Sequence, residues 1–140
     1  MKALLSIILP AKIENLESLI QSVSNCARAM GFDQKRVSEI ELATEEALVN
    51  ITSYSYPEGP GKVEINCKQG ERSFIIEIID TGIPFDVTSL PDPDIAADID
   101  DRKIGGLGVF LLKKVMDRVD YRRENNRNIL TLTVHEPDPR

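Results

Sequence analysis

The chain has 140 residues, 41% hydrophobic and 29% charged, with 17 basic side chains against 23 acidic ones and a formal charge of −6. That size fits one domain with a full hydrophobic core, and the acid excess argues against a nucleic-acid partner. One histidine, His135, and two cysteines, Cys26 and Cys67, leave no material for a histidine triad, a zinc cluster or a disulfide framework.

Residues 2–9, rich in Leu and Ile, predict a buried or edge strand. The run is too short to span a bilayer. No small-residue cleavage pattern follows it, so neither a membrane span nor a signal peptide is expected, and the expected location is cytoplasmic. From about Ala11 to Met30, Ile13, Leu16, Ile20, Val23 and Ala27 recur at helical spacing, and Gly31 supplies a stop. Asp33 is placed to cap a second helix carrying Val37, Ile40, Ala43, Ala47, Leu48 and Ile51. Pro57-Glu-Gly-Pro-Gly61 predicts a loop.

Val63, Ile65 and Cys67 alternate with Glu64, Asn66 and Lys68, as in a strand with one wet face. Gln69-Gly-Glu71 offers a turn, and Phe74–Ile79 returns as a central strand. Six aspartates between Asp86 and Asp101, together with Pro91 and Pro93, predict a long solvated connection, a candidate lid. Helical periodicity resumes from Gly108 to Asp117. Strands at about 119–123 and 129–134 follow, joined through Glu124-Asn-Asn-Arg-Asn128. Lys113, Lys114, Arg118, Arg122, Arg123 and Arg127 cluster here, as on a solvated surface. The order β-α-α-β-β-loop-α-β-β predicts an α/β two-layer sandwich: a mixed, mostly antiparallel sheet with helices on one face. Residues 1–136 are expected to form a single domain, with 137–140 a short tail.

Three distant stretches carry candidate chemistry. Glu46 and Asn50 stand at i and i+4 on the second helix and project side by side. The Asn50 carbonyl suits Mg²⁺, and Glu46 suits a base for a hydroxyl attacking a γ-phosphate; a solvated helix face suits the pair equally. Asp80 ends the central strand with Gly82 two residues on. It can accept the amino hydrogen of adenine, or close an Asx-turn. Phe85 lines a pocket or fills the core. Gly105-Gly-Leu-Gly108 opens a helix whose amides and dipole favour phosphate, or forms a hinge. It lacks the ending of a P-loop and the spacing of a dinucleotide fingerprint.

Taken together, Glu46-Ala-Leu-Val-Asn50, Asp80-Thr-Gly82 and Gly105-Gly-Leu-Gly108 resemble the N, G1 and G2 boxes of the anti-sigma-factor serine kinases within the GHKL ATPase superfamily. The stretch from Gly106 to Asp117 is similar to the kinase branch in particular. The resemblance implies a Bergerat-type sandwich binding ATP and Mg²⁺, with Glu46 as general base, Asn50 as metal ligand and Asp80 as adenine reader. Gly82, Gly105, Gly106 and Gly108 would make close backbone contacts, and Ile83, Phe85, Leu107 and Val109 complete the nucleotide-contacting set. It also implies phosphorylation of a serine on an anti-anti-sigma (STAS-domain) protein, sequestration of a sigma factor, and a homodimer.

Two departures from the family pattern bear on turnover. Tyr54 stands where the family often has a histidine, and Arg127-Asn128-Ile129 replaces Gly-Thr-Thr, removing hydroxyls near the base. The alternative function is a nucleotide-sensing partner switch of the same fold with little or no kinase turnover.

Overall fold

The computed structural model describes residues 1–89 and 106–136. The acidic connection, Gly105 and residues 137–140 lie outside them, as does the side chain of Leu107. Strand β1 (Lys2–Pro10) leads through a 3₁₀ turn at Ile13–Asn15 to helices α1 (Leu16–Ala29) and α2 (Gln34–Asn50). The hairpin β2 (Lys62–Gly70) and β3 (Ser73–Asp80) follows, then α3 (Gly106–Val115) and the hairpin β4 (Arg118–Glu124) and β5 (Arg127–His135).

The first helix starts later than the periodicity predicts. Ala11 N–H donates to Gly61 O at 2.8 Å and the Asn15 side chain donates to Pro10 O at 2.9 Å, so the chain stays tied to the sheet edge for another turn. Ile13 consequently points outward, 80% exposed. The other end is as expected. Gly31 adopts φ +95°, its N–H bonds Arg28 O, and Phe32 N–H bonds Ala27 O, the paired bonds of a Schellman stop. Asp33 caps α2 by accepting from Arg36 N–H at 2.9 Å.

Two hairpins are tighter than the sequence suggests. Gln69 and Gly70 belong to β2, and Glu71-Arg72 makes the turn, with Arg72 at φ 54°. Asn125 and Asn126, at φ 53° and 62°, turn the last hairpin in two residues. Paired positive φ is the type I′ geometry, which asparagine tolerates better than most side chains.

The strand order is β1-β2-β3-β5-β4, and every neighbouring pair is antiparallel. The sheet is therefore antiparallel throughout and not mixed as expected; β1 and β4 both run parallel to β3, but each is separated from it by an intervening strand. The connections explain this. Two helices between β1 and β2 return the chain to the end it left, whereas the single helix α3 carries it back parallel.

Inward residues Val63, Ile65, Phe74, Ile76, Ile78, Leu130, Leu132 and Val134 meet Leu19, Val23, Val37, Ile40, Leu48 and Leu112 in one core. At about 1.5–3 kcal/mol per buried large side chain, this layer is the main favourable term holding the helices to the sheet. Arg36 ties the start of α2 to the end of α3, reaching Asp117 at 2.7 Å, Glu39 at 3.1 Å and the carbonyl of Val115. Burial raises the Asp117 carboxyl, but the His135 N–H and Arg36 outweigh it and hold Asp117 below the usual carboxylate range. No helix among the described residues is long and apolar enough to cross a membrane.

Candidate functional site

The site lies where α2 ends. Instead of stopping, the helix widens into a π-helical turn at Ile51–Ser55, a local form enriched at functional sites. The wider turn carries Ser55 against the loop after β3, where Ile83 N–H donates to Ser55 O at 2.9 Å. Gly82 has no side chain for a specific reason: a Cβ there would run into the Ser55 carbonyl. The sequence assigned this glycine to close approach of a base; the contact present is with the chain's own backbone. Tyr56 braces the same loop, its hydroxyl donating to Lys62 O at 2.5 Å and accepting from Thr81 N–H at 2.8 Å. Arg123 adds a 2.7 Å bond to Gly82 O.

Asp80 is 4% exposed at the end of β3. Its Oδ1 accepts from Gly82 N–H at 2.9 Å, which is the Asx-turn, and from Asn128 Nδ2 at 2.9 Å. Asp80 and Asn128 are register partners across β3 and β5. Asn128 further donates to Ile83 O at 2.8 Å and accepts from Tyr121 OH at 2.5 Å and Phe85 N–H at 3.3 Å. A hydroxyl does stand beside Asn128, that of Tyr121 on the neighbouring strand, and it is spent on the Asn128 carbonyl.

Asn50 and Asp80 line one cavity of ≈ 20 Å³, together with Ala47, Phe85, Tyr121 and Asn128. This is room for about one water molecule and not for a purine ring. Phe85 stacks on Tyr54, with ring centroids 5.4 Å apart and planes at 27°.

Asn50 is 3% exposed and its Nδ2 has no partner among the described residues, nor has the buried hydroxyl of Tyr54. A buried amide left unpaired costs about 1–3 kcal/mol, which an incoming ligand can recover. The orphaned atom is an N–H donor, so what it fits is a phosphate oxygen or a water; the amide oxygen of the same side chain is the group that would hold magnesium, an ion that takes most of its other ligands from phosphate and water. Among the described residues there is no group of three or more His, Cys, Asp or Glu able to hold an ion unaided.

Glu46 lies one turn before Asn50, and its carboxylate packs directly against Gly108 near the start of α3. Burial, with Glu45 adding repulsion, raises its pKa above the ordinary glutamate value, the direction that suits a base near neutral pH. Gly106 and Leu107 open α3, and Gly108 brings the helix to Glu46. Val109 is buried in the core and serves packing. Ile83 is 50% exposed and contributes through its backbone.

The structure therefore gathers Asn50, Asp80 and Phe85 at one cavity, with Glu46 one turn earlier on α2 and Gly108 of α3 against it. Sequence reasoning missed Tyr121 and the part played by Asn128. The available signal was a polar residue at an inward position of β5, in step with Leu130, Leu132 and Val134.

Residues 9–134 match the model of the histidine kinase-like ATPase domain, and the chain belongs to that family. Among characterised relatives it is similar to the serine-protein kinase RsbW of Halalkalibacterium halodurans, 32% identical over 128 residues, covering 89% of this chain and 78% of that protein. It is also similar to the serine/threonine-protein kinase BtrW of Bordetella bronchiseptica, 34% identical over 97 residues, or 69% of this chain and 68% of the relative. The fold is shared with the RsbU and RsbW domains of Rv1364c from Mycobacterium tuberculosis, at TM-score 0.68 and 15% identity. That match spans 96% of this chain but only 33% of the larger one. The Acinetobacter baumannii histidine kinase AdeS aligns over 96% of this chain and 69% of its own at TM-score 0.56 and 14% identity.

Proposed function

We propose that residues 1–136 form one nucleotide-binding domain of an ATP-dependent protein-serine kinase and anti-sigma regulator acting in the cytoplasm. Its substrate is a serine on an anti-anti-sigma protein of the STAS type. It alternates between that partner and a sigma factor, and works as a homodimer without touching nucleic acid or membrane. The observation that carries the reading is the convergence of Asn50, with its unpaired buried amide, on the same cavity as Asp80, with Glu46 one turn away. The serine kinases among the relatives support the acceptor class.

In this mechanism Asp80 receives the adenine amino group, and the first turn of α3 receives phosphate oxygens through its free amides. Magnesium bound through Asn50 would neutralise charge between the phosphates. Glu46 accepts the proton of the serine hydroxyl as its oxygen bonds to the γ-phosphorus and the bond to the β-phosphate oxygen breaks, releasing ADP. Its raised pKa keeps it basic enough for that transfer.

Calorimetry with ATP and Mg²⁺, followed by incubation with proteins captured from the source cell and phosphopeptide mass spectrometry, tests the reading. The expected result is ATP binding, phosphoserine on a partner, and loss of transfer but not of binding in Glu46→Ala. Undiminished transfer by that variant removes Glu46 from the mechanism, and absence of nucleotide binding removes the whole reading. A second reading, a nucleotide sensor without turnover, is favoured by one observation: Phe85, a wall of the small cavity, is stacked on Tyr54, the residue that stands where the family often has a histidine. ATP binding with no phosphopeptide decides for it.

A further inference from the structure

We propose that Asn128, fixed by Tyr121, is the positioning residue that dictates which oxygen of Asp80 meets the nucleotide base, and so sets the preference for a 6-amino purine. The inference rests on the nucleotide-binding reading above and adds to it Tyr121 and an asparagine that stands where the family pattern has a threonine.

The argument is a count of donors and acceptors. The Asn128 amide offers two N–H donors and two lone pairs. Both donors are used, on Asp80 Oδ1 at 2.9 Å and Ile83 O at 2.8 Å. The carbonyl oxygen is also saturated, by Tyr121 OH at 2.5 Å and Phe85 N–H at 3.3 Å. Rotating the amide by half a turn would set two N–H donors against an N–H and a hydroxyl, and the carbonyl against two oxygens. Only one orientation satisfies the surroundings. Asn128 is 4% exposed, so its partners are those of the surrounding chain rather than bulk solvent.

The consequence falls on Asp80. Asn128 and the Gly82 N–H both converge on Oδ1, which leaves Oδ2 without a hydrogen bond among the described residues. One oxygen is anchored, which fixes the plane of the carboxylate, and Asp80 forms part of the wall of the cavity shared with Asn50. A carboxylate oxygen accepts hydrogen bonds and donates none. It rewards an exocyclic amino group and opposes a carbonyl at the same place on the ring. Without Asn128 the carboxylate would keep only the Gly82 bond and could turn about it, and the Phe85 N–H would lose its partner. The reading of the base would then blur even though Asp80 itself is intact.

The test pairs protein variants with ligand variants, because a residue that merely supports the fold weakens every nucleotide alike. Calorimetry with Mg²⁺ measures binding of ATP and of purine riboside triphosphate, which lacks the 6-amino group, to the whole chain. The natural protein should prefer ATP by about tenfold to a hundredfold, the value of one hydrogen bond to a charged acceptor. Asn128→Ala should reduce that preference to about threefold or less while changing the affinity for the des-amino nucleotide little. Tyr121→Phe removes a single hydroxyl and keeps the inference testable if the alanine variant fails to fold; its preference should fall between the two.

An unchanged ratio in Tyr121→Phe and in any folded Asn128 variant overturns the inference while leaving nucleotide binding standing. Equal affinity of the natural protein for both nucleotides also overturns it. Binding of neither overturns the nucleotide reading as well.

Discussion

Gly108→Ala should separate stability from chemistry. An ideal Cβ on Gly108 would collide with Glu46 Oε2, and the next atoms it meets are Glu46 Cδ at 2.9 Å and Cγ at 3.6 Å. All three of these nearest atoms belong to one flexible side chain rather than to backbone. The fold can absorb the methyl by swinging Glu46 aside. Alanine replaces glycine within α3, where it is worth up to about 1 kcal/mol, so the melting temperature should hold or rise by about 2–4 °C. The cost falls on function. Displacing a general base by about 1 Å costs roughly 10²-fold in rate, within the range for losing such a base altogether. Single-turnover transfer of labelled phosphate to the captured partner, set beside a thermal melt, reads both quantities. Full activity would show that the Glu46 carboxylate does no chemistry where it packs. A melting temperature lowered by several degrees would show that Glu46 cannot move and that the contact is structural.

The opposite behaviour is expected at Gly82, where a Cβ would meet the Ser55 carbonyl oxygen and, at 2.6 Å, its carbonyl carbon and Cβ. Backbone cannot swing aside, so Gly82→Ala should destabilise by about 1–3 kcal/mol, seen in urea unfolding, and a neutral result would show that the loop is not seated on Ser55. For Glu46, burial comes first and Glu45 second in raising the pKa. Transfer should therefore fall as pH drops through a value above the usual glutamate range, and Glu45→Gln should move that limb to lower pH. The sign for stability is opposite to that of a salt-bridged acid. The raised group costs stability above its folded pKa and nothing below its unfolded one, so Glu46→Gln should raise the melting temperature at neutral pH and lose that advantage in acid. An acid limb unmoved by Glu45→Gln would assign it to another group.

Much of this protein was settled locally. The α2 stripe from Val37 to Leu48, the Asp33 cap, the Gly31 stop and the alternation of β2 are decided by periodicity and backbone preference within a few residues, and each stands as read. The three motifs were legible for the same reason, since a carboxylate beside an amide on one helix turn is written in consecutive residues.

What needed the tertiary structure were relations between residues far apart in the chain. The insertion of β5 between β3 and β4 sets Asn128 opposite Asp80, 48 positions away, and no local pattern encodes that register. The delayed start of α1 depends on a bond from Ala11 to Gly61. Gly82 and Gly108 look alike as letters, yet one makes room for a rigid carbonyl and the other for a mobile carboxylate. Local chemistry chooses the elements, while burial and hydrogen-bond satisfaction across the sheet choose which side chains meet, because only there does an unpaired polar group carry its full desolvation cost.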